Sequence, residues 1–462
     1  MPRIAWFTPL PPISSGVARY SAELIPRLTS HDIHLFVDGS PARVEPPDGR
    51  APIRSAHDFV WMHAREPFDL VVYQLGNAPC HDYMWGYLAH YPGLVVLHDG
   101  QLHHARALSL RAQHREDDYR EEFRLNHPGV PPDAAELAIA GWLGSLTYLW
   151  PMRRLVIDSA RAILVHNQWL ADEIREEHPS ALVHVVEMGV PELVRGSARG
   201  PRIRSRHGIP EDAVLFVVLG TATPEKRIRQ VIRALAGVVP HADARLLIVG
   251  PNVDHYDPEA DALAHGIADR VIVTGQVPHE ELADYLSAAD VCLCLRWPTS
   301  RETSAVWLRC LAAGRATVVT DLAHMVDIPA LDPRNWKLAY APSAIERETL
   351  EPTRVDPVCV SIDILDEDHS LLLALRRLAE DARLRATLAK NAGELWKARF
   401  TLERMADGYD RAIAATIAAG QKGASETAVP QHLIADGSER AISLLRTMHM
   451  PDARIQALWH TE

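Results

Sequence analysis

Lys226 and Arg227 follow an apolar run, Phe216–Gly220, and a short link, Thr221–Glu225, and they open an amphipathic stretch from Ile228 to Leu235. Helix starts favour acids over bases, so two cations there call for a reason other than helix stability. A leaving diphosphate gathers negative charge as its bond breaks, and fixed cations stabilise that charge more than they stabilise the ground state. Arginine grips two phosphate oxygens, whereas lysine acts as a movable point charge. About two strand–helix units later, the apolar run Val291–Leu295 feeds a polar loop, Arg296–Arg301, and then Glu302-Thr303-Ser304 ahead of an apolar helix closed by Gly314. A carboxylate there can accept hydrogen bonds from vicinal hydroxyls. Thr303 or Ser304 can cap the helix while its free N–H groups face an anion. Both loops leave the carboxyl ends of strands, where ligands of parallel sheets sit. The expected ligand is a nucleotide-diphosphate sugar, met by Lys226, Arg227 and Glu302, with Gly16, Gly220, Thr221, Arg301, Thr303, Ser304 and Arg309 around the donor.

Nearer the amino terminus, Pro9-Leu-Pro-Pro-Ile-Ser-Ser15-Gly16-Val-Ala-Arg-Tyr20-Ser links the first strand to the first helix. Gly16 lets a ligand approach the backbone, and the helix start can hold an anion. The stretch is neither GxGxxG nor GxxxxGK[ST], so dinucleotide and P-loop chemistry are unsupported. Leu94-Val-Val-Leu-His98-Asp99-Gly100 places His98 just beyond a strand end, and Gly76-Asn77 with His81-Asp82 lies upstream. His98 reads as a polar contact to a sugar, with Ser15, Asn77 and Asp99 on the acceptor side. A His/Asp metal site is the rival reading. It lacks helical i, i+4 pairing, and the expected metal set is none. A purely structural role in capping covers most of these residues taken singly.

These motifs need a scaffold of alternating strands and helices, and the chain supplies one. Strands are expected at Arg3–Phe7, Ile33–Val37, Leu70–Gln74, Gly93–Leu97, Ala162–His166 and Val183–Glu187. A second series is expected at Ala213–Gly220, Arg245–Gly250, Val271–Thr274, Val291–Leu295, Thr317–Thr320 and Trp336–Tyr340, with helices between. The fold class is therefore α/β, with two doubly wound Rossmann-like domains facing a central cleft. The first spans 1–195, with a helical insertion near 102–153. Pro191–Pro210, rich in Gly, Arg, Ser and Pro, reads as the linker. The second domain spans 205–395. A helix over 396–420 is expected to cross back to the first domain, and a hinge and helical tail occupy 421–462.

At 462 residues the chain exceeds a single core. A net charge of -12 argues against nucleic-acid affinity built on general basicity. Five scattered cysteines read as reduced thiols, and Met1-Pro-Arg-Ile-Ala-Trp-Phe reads as a strand, not a leader, so a cytoplasmic location is expected. Peripheral membrane contact stays open.

Taken in order, Pro9-Leu-Pro-Pro…Ser15-Gly16-Val17…Tyr20-Ser21, Leu97-His98-Asp99, Val165-His166-Asn167, Met188-Gly189-Val190-Pro191, Gly220…Glu225-Lys226-Arg227 and Glu302-Thr303-Ser304…Leu311-Ala-Ala-Gly314 resemble the retaining GT-B glycosyltransferases of family 4. The resemblance implies sugar transfer from a nucleotide sugar with retained anomeric configuration and no essential metal or other cofactor. It implies that Lys226 is the diphosphate-binding lysine, Gly16 the amino-terminal glycine loop and His98 the histidine near the donor sugar. Two departures stand out. The Glu-x7-Glu pair of many members falls on Arg301 and Arg309, with Glu302 one residue late, and Arg309 cannot accept hydrogen bonds from a ribose. Thr221 stands where the post-glycine arginine is usual.

The expected partners are thus a nucleotide-sugar donor and a glycan, lipid-linked or small-molecule acceptor. The rival from another class is a catalytically silent nucleotide-sugar-binding subunit. The sequence names neither donor nor acceptor, nor an oligomeric state.

Overall fold

The computed structural model describes residues 1–47, 51–142, 144–193, 199–339, 356–420, 428–435 and 438–454. Two parallel sheets organise it. The amino lobe holds β1 (Arg3–Phe7), β2 (Asp32–Val37), β3 (Ile53–Ser55), β4 (Leu70–Leu75), β5 (Leu94–Leu97), β6 (Ala162–Val165) and β7 (Val183–Val185). Their order is β3-β2-β1-β4-β5-β6-β7, all parallel. The carboxyl lobe holds β8 (Val214–Leu219), β9 (Ala244–Val249), β10 (Val271–Val273), β11 (Val291–Cys294), β12 (Ala316–Thr320), β13 (Ala330–Asp332), β14 (Lys337–Leu338) and β15 (Cys359–Ile362). Their order is β10-β9-β8-β11-β12-β15-β13-β14, and only the β13–β14 pair is antiparallel. The central strands β4, β5, β6 and β8 are buried along their whole length, which is why they read as unbroken apolar runs.

Several expectations shift. The pattern missed β3, β13 and β15, short strands whose alternation is too brief to register. The strand expected at 336–340 shrinks to Lys337–Leu338, and Tyr340 lies outside the described residues. The 191–210 linker contains a helix, Arg199–Arg206. Its arginines tie it to the carboxyl lobe: the half-buried Arg204 pairs with Asp290 at 2.6 Å and the exposed Arg202 with Asp284 at 2.5 Å. The 102–153 insertion divides into helices His103–Ala112, Glu116–Asn126 and Asp133–Ile139 around a small core of Leu110, Tyr119, Phe123 and Met152.

The carboxyl-terminal helices are Glu367–Glu380, Ala382–Arg399 and Leu402–Ala418. The last packs on the first helix, Gly16–Leu24, where Tyr409 meets Tyr20 hydroxyl to hydroxyl at 2.6 Å. One apolar cluster runs from Ile4, Trp6 and Tyr20 through Trp307 and Phe400 to Tyr409, so the two lobes share a core where they meet. Of the expected tail, Gln431–Ile434 docks on the amino lobe: Leu433 enters its core, and His432 lies 2.7 Å from Glu122. Residues 421–427, 436–437 and 455–462 of that expectation lie outside the described residues.

Gly189 sits where the chain leaves the amino lobe. A Cβ there would collide with the Thr401 carbonyl, and the neighbouring Val190 amide donates to Phe400 O at 3.0 Å. Gly189→Ala must therefore push the crossover helix away, and denaturant unfolding is expected to show a loss of about 1–3 kcal/mol.

Candidate active site

A cavity of about 480 Å³ lies between the lobes. Its carboxyl-lobe wall is the ends of β8, β11 and β12 with the loop to Ser304, and its amino-lobe wall begins at His166 and Asn167. Lys226, Arg296, Thr299, Glu302, Thr303 and Ser304 form its polar end, and the middle is apolar, with Leu293, Val319 and Trp307.

Lys226 is the cation of this cavity. Its ammonium donates to the Leu219 carbonyl, folded over Gly220, whose φ of 89° and missing Cβ leave the room. Burial, with Arg296 nearby, lowers its pKa from 10.5 to about 7. Among the described residues no carboxylate pairs with it within 4.0 Å. An anion would therefore find a desolvated, uncompensated charge. Binding of a nucleoside diphosphate should draw a proton onto Lys226, so affinity is expected to weaken by up to about tenfold per pH unit above pH 7, as the free amine loses its charge. Calorimetric titration with UDP, GDP and ADP between pH 6 and 9 would read that slope.

Arg227 does not join it. In the left-handed region at φ 58°, its guanidinium turns to the Glu367 carboxylate, with Nε to Oε1 at 2.7 Å. The expected pair of cations is thus one cation, because an acid on Glu367–Glu380 satisfies the other. Arg296 stands in as the second positive group, yet its Nε pairs with Glu302 at 2.8 Å.

Glu302 faces the cavity, but its carboxylate also holds its own loop: Oε2 accepts from the Ser300 amide at 2.7 Å and Thr299 Oγ1 at 3.0 Å. Ser304 caps the helix Ala305–Ala312 by accepting from the Trp307 amide at 3.2 Å, and Thr303 reaches the His166 carbonyl at 3.4 Å. Thr221 is exposed and does not line this cavity.

Arg301 and Arg309 both face the amino lobe. Arg301 Nε lies 2.6 Å from Glu173, and Arg309 holds both oxygens of Glu23 at 2.8 Å. With the Gly100 amide donating to Ser300 O at 2.7 Å, these contacts bring the lobes together. Arg309, placed among donor ligands by the sequence, instead forms a cross-cleft ion pair.

On the amino lobe, Gly16 is exposed at the start of its helix, which Ser15 caps by accepting from the Val17 amide at 3.2 Å. Asn77 has a positioning use: its amide donates to Asp99 Oδ2 at 2.8 Å, and its side chain accepts from the Ala105 amide at 2.9 Å, tying the insertion to β4. Burial, with Glu302 close by, raises Asp99 to about 6. His98 is buried, and its Nε2 meets Gln74 Oε1 at 2.7 Å. Ser15, Gly16, Asn77, His98 and Asp99 do not line the 480 Å³ cavity.

His166, Asn167 and Arg296 line the cavity and were not among the expected site residues. The Val165-His166-Asn167 run carried the only signal for two of them. Burial keeps His166 neutral, with its pKa near 4, and its Nε2 has no partner. Among the described residues no group of three or more His, Cys, Asp or Glu is arranged to hold a metal ion.

Residues 213–341 match the family model described as Glycosyl transferases group 1. The chain is 24% identical over 261 residues to the alpha-D-kanosaminyltransferase of Streptomyces kanamyceticus, covering 55% of this chain. It spans 60% of that relative's own length and less of the other curated relatives it matches. HepE from Anabaena, solved in complex with UDP and glucose, superposes with a TM-score of 0.60 at 13% identity, covering 90% of this chain and 100% of that one. Sucrose-phosphate synthase from Thermosynechococcus elongatus gives 0.58 at 15% identity, covering 91% and 100%. The fold is GT-B.

Proposed function

We propose that this GT-B protein, whose carboxyl lobe matches the group 1 glycosyltransferases, moves a sugar from a nucleotide-diphosphate sugar to an acceptor hydroxyl, retaining the anomeric configuration and using no metal. The observation that carries the reading is Lys226: a desolvated ammonium at the end of β8, inside an interlobe cavity, with no carboxylate among the described residues to neutralise it. HepE, with the same fold, is described in complex with UDP and glucose.

In this reading the carboxyl lobe holds the donor and the acceptor enters from the amino lobe. The bond between the anomeric carbon and the diphosphate oxygen breaks while the acceptor oxygen bonds to that carbon on the same face. The acceptor's proton passes to the departing phosphate oxygen. Lys226 and the N–H groups near Ser304 steady the charge that oxygen gains. Arg227 acts one step removed, by anchoring the turn that carries Lys226. Glu302 contacts sugar hydroxyls from the cavity wall, His98 meets them from behind the cavity-lining His166, against which it packs at 5.2 Å between ring centroids, and Asp99 serves the acceptor side.

Incubating the purified protein with a panel of UDP-, GDP- and ADP-sugars and glycan, lipid-linked or small polyol acceptors tests this. Transfer with the donor's anomeric configuration kept, read by proton NMR of the product, supports it; an inverted product refutes retention. The second reading, a silent nucleotide-sugar-binding subunit, draws on Arg309, which offers a ribose no acceptor and is occupied by Glu23. Binding of a donor with neither transfer nor hydrolysis would favour it.

A further inference from the structure

We infer that Gln74 and Tyr409 are positioning residues that hold His98 with its proton on Nε2, so that Nδ1 meets the substrate as a hydrogen-bond acceptor. This rests on the reading of His98 as a site residue. A carboxamide oxygen carries only lone pairs, so the 2.7 Å contact from His98 Nε2 to Gln74 Oε1 requires a proton on Nε2. The carboxamide's orientation is set at its other end, where Gln74 Nε2 donates to the Tyr409 hydroxyl at 3.5 Å. That hydroxyl shares a 2.6 Å hydrogen bond with Tyr20, whose ring meets His98 edge-on at 4.6 Å between centroids. Burial keeps the imidazole uncharged, so the single proton on Nε2 leaves a lone pair on Nδ1, to which no described residue bonds.

Two neighbouring histidines show that the choice is not a general habit of this lobe. His81 donates from Nδ1 to Gln74 O, and His166 donates from Nδ1 to Val186 O, both at 2.8 Å. Each therefore carries the opposite tautomer, with Nε2 bare. Gln74 thus reads two histidines at once, its backbone oxygen fixing His81 and its side chain fixing His98. The relay also runs to the far end of the chain, because Tyr409 lies on the crossover helix Leu402–Ala418. An acceptor nitrogen at His98 selects a ligand that brings a hydroxyl proton, and it discriminates against a deoxy or O-methyl analogue at that position.

Nitrogen-15 NMR of histidine-labelled full-length protein, assigned with His98→Gln, His81→Gln and His166→Gln, reads each tautomer directly. His98 is expected with Nδ1 unprotonated, and His81 and His166 with Nε2 unprotonated. Tyr409→Phe keeps the ring and should mix the two tautomers of His98. In transfer assays it should lower kcat/KM for the sugar donor about tenfold, the scale of one hydrogen bond. In a His98→Ala background the same change should cost nothing further. A proton on Nδ1 of His98 in the wild type would overturn the inference, as would a Tyr409→Phe cost that persists without His98. If no sugar is transferred at all, the function fails while the tautomers still decide the relay.

Discussion

Lys226→Ala is expected to cut turnover about a hundredfold, the scale of one lost transition-state donor, while leaving the protein folded. A second consequence separates this from a structural role. The folded-state pKa of Lys226 is about 7 against an ordinary 10.5, so the folded state binds fewer protons across that interval. Its contribution to stability is greatest above pH 10.5 and is lost as the pH falls towards 7. Lys226→Met removes the desolvated charge and keeps the stem. The melting temperature at pH 7 should therefore rise as activity disappears, and the gain should vanish near pH 10.5. A variant that loses activity and stability together would mean that Lys226 holds the fold instead.

Arg106→Met is expected to be the most destabilising single change on the amino lobe. Arg106 binds Glu122 through three hydrogen bonds, of which Nε to Oε2 at 2.8 Å is one, and both side chains are buried. Burial alone would raise Glu122, yet hydrogen bonds from Arg106 keep it below its ordinary pKa. Removing the guanidinium leaves a buried carboxylate, which costs about 3–5 kcal/mol. Because Glu122 also meets His432, the docked segment Gln431–Ile434 should loosen with the insertion. The double variant Arg106→Met/Glu122→Leu should recover most of the loss, since two apolar groups need no partner. Denaturant unfolding of the three proteins would show whether it does.

The GT-B architecture was legible because β1, β4, β5, β8 and β11 are apolar runs separated by helical periods, a pattern that parallel sheets impose. Lys226 could be placed as well, since its position after a glycine-ended strand is a local property. What could not be read were pairings across the lobes. Arg309 and Glu23 lie 286 residues apart, and Arg227 and Glu367 lie 140 apart. Whether an arginine faces a ligand or a carboxylate depends on which distant acid arrives first, and spacing along one strand or helix carries no trace of that. The same holds for Gln74 and Tyr409, which contact each other through the fold and not through any motif. The stretch before β8 read as a linker for a related reason: its composition carries no trace of Asp284 and Asp290, the distant acids that tie its helix to the carboxyl lobe.

The account stands on one ammonium meeting a diphosphate between the lobes, and affinity measures that contact without any need to know the sugar. Wild type and Lys226→Met should be titrated with UDP, GDP and ADP at pH 6.5, where the lysine is mostly charged. At least one nucleotide should bind the wild type, and that one should bind the variant far more weakly, by about ten- to a hundredfold for a lost charge-assisted hydrogen bond. Equal affinity for both proteins would contradict the assignment of Lys226 to the phosphates.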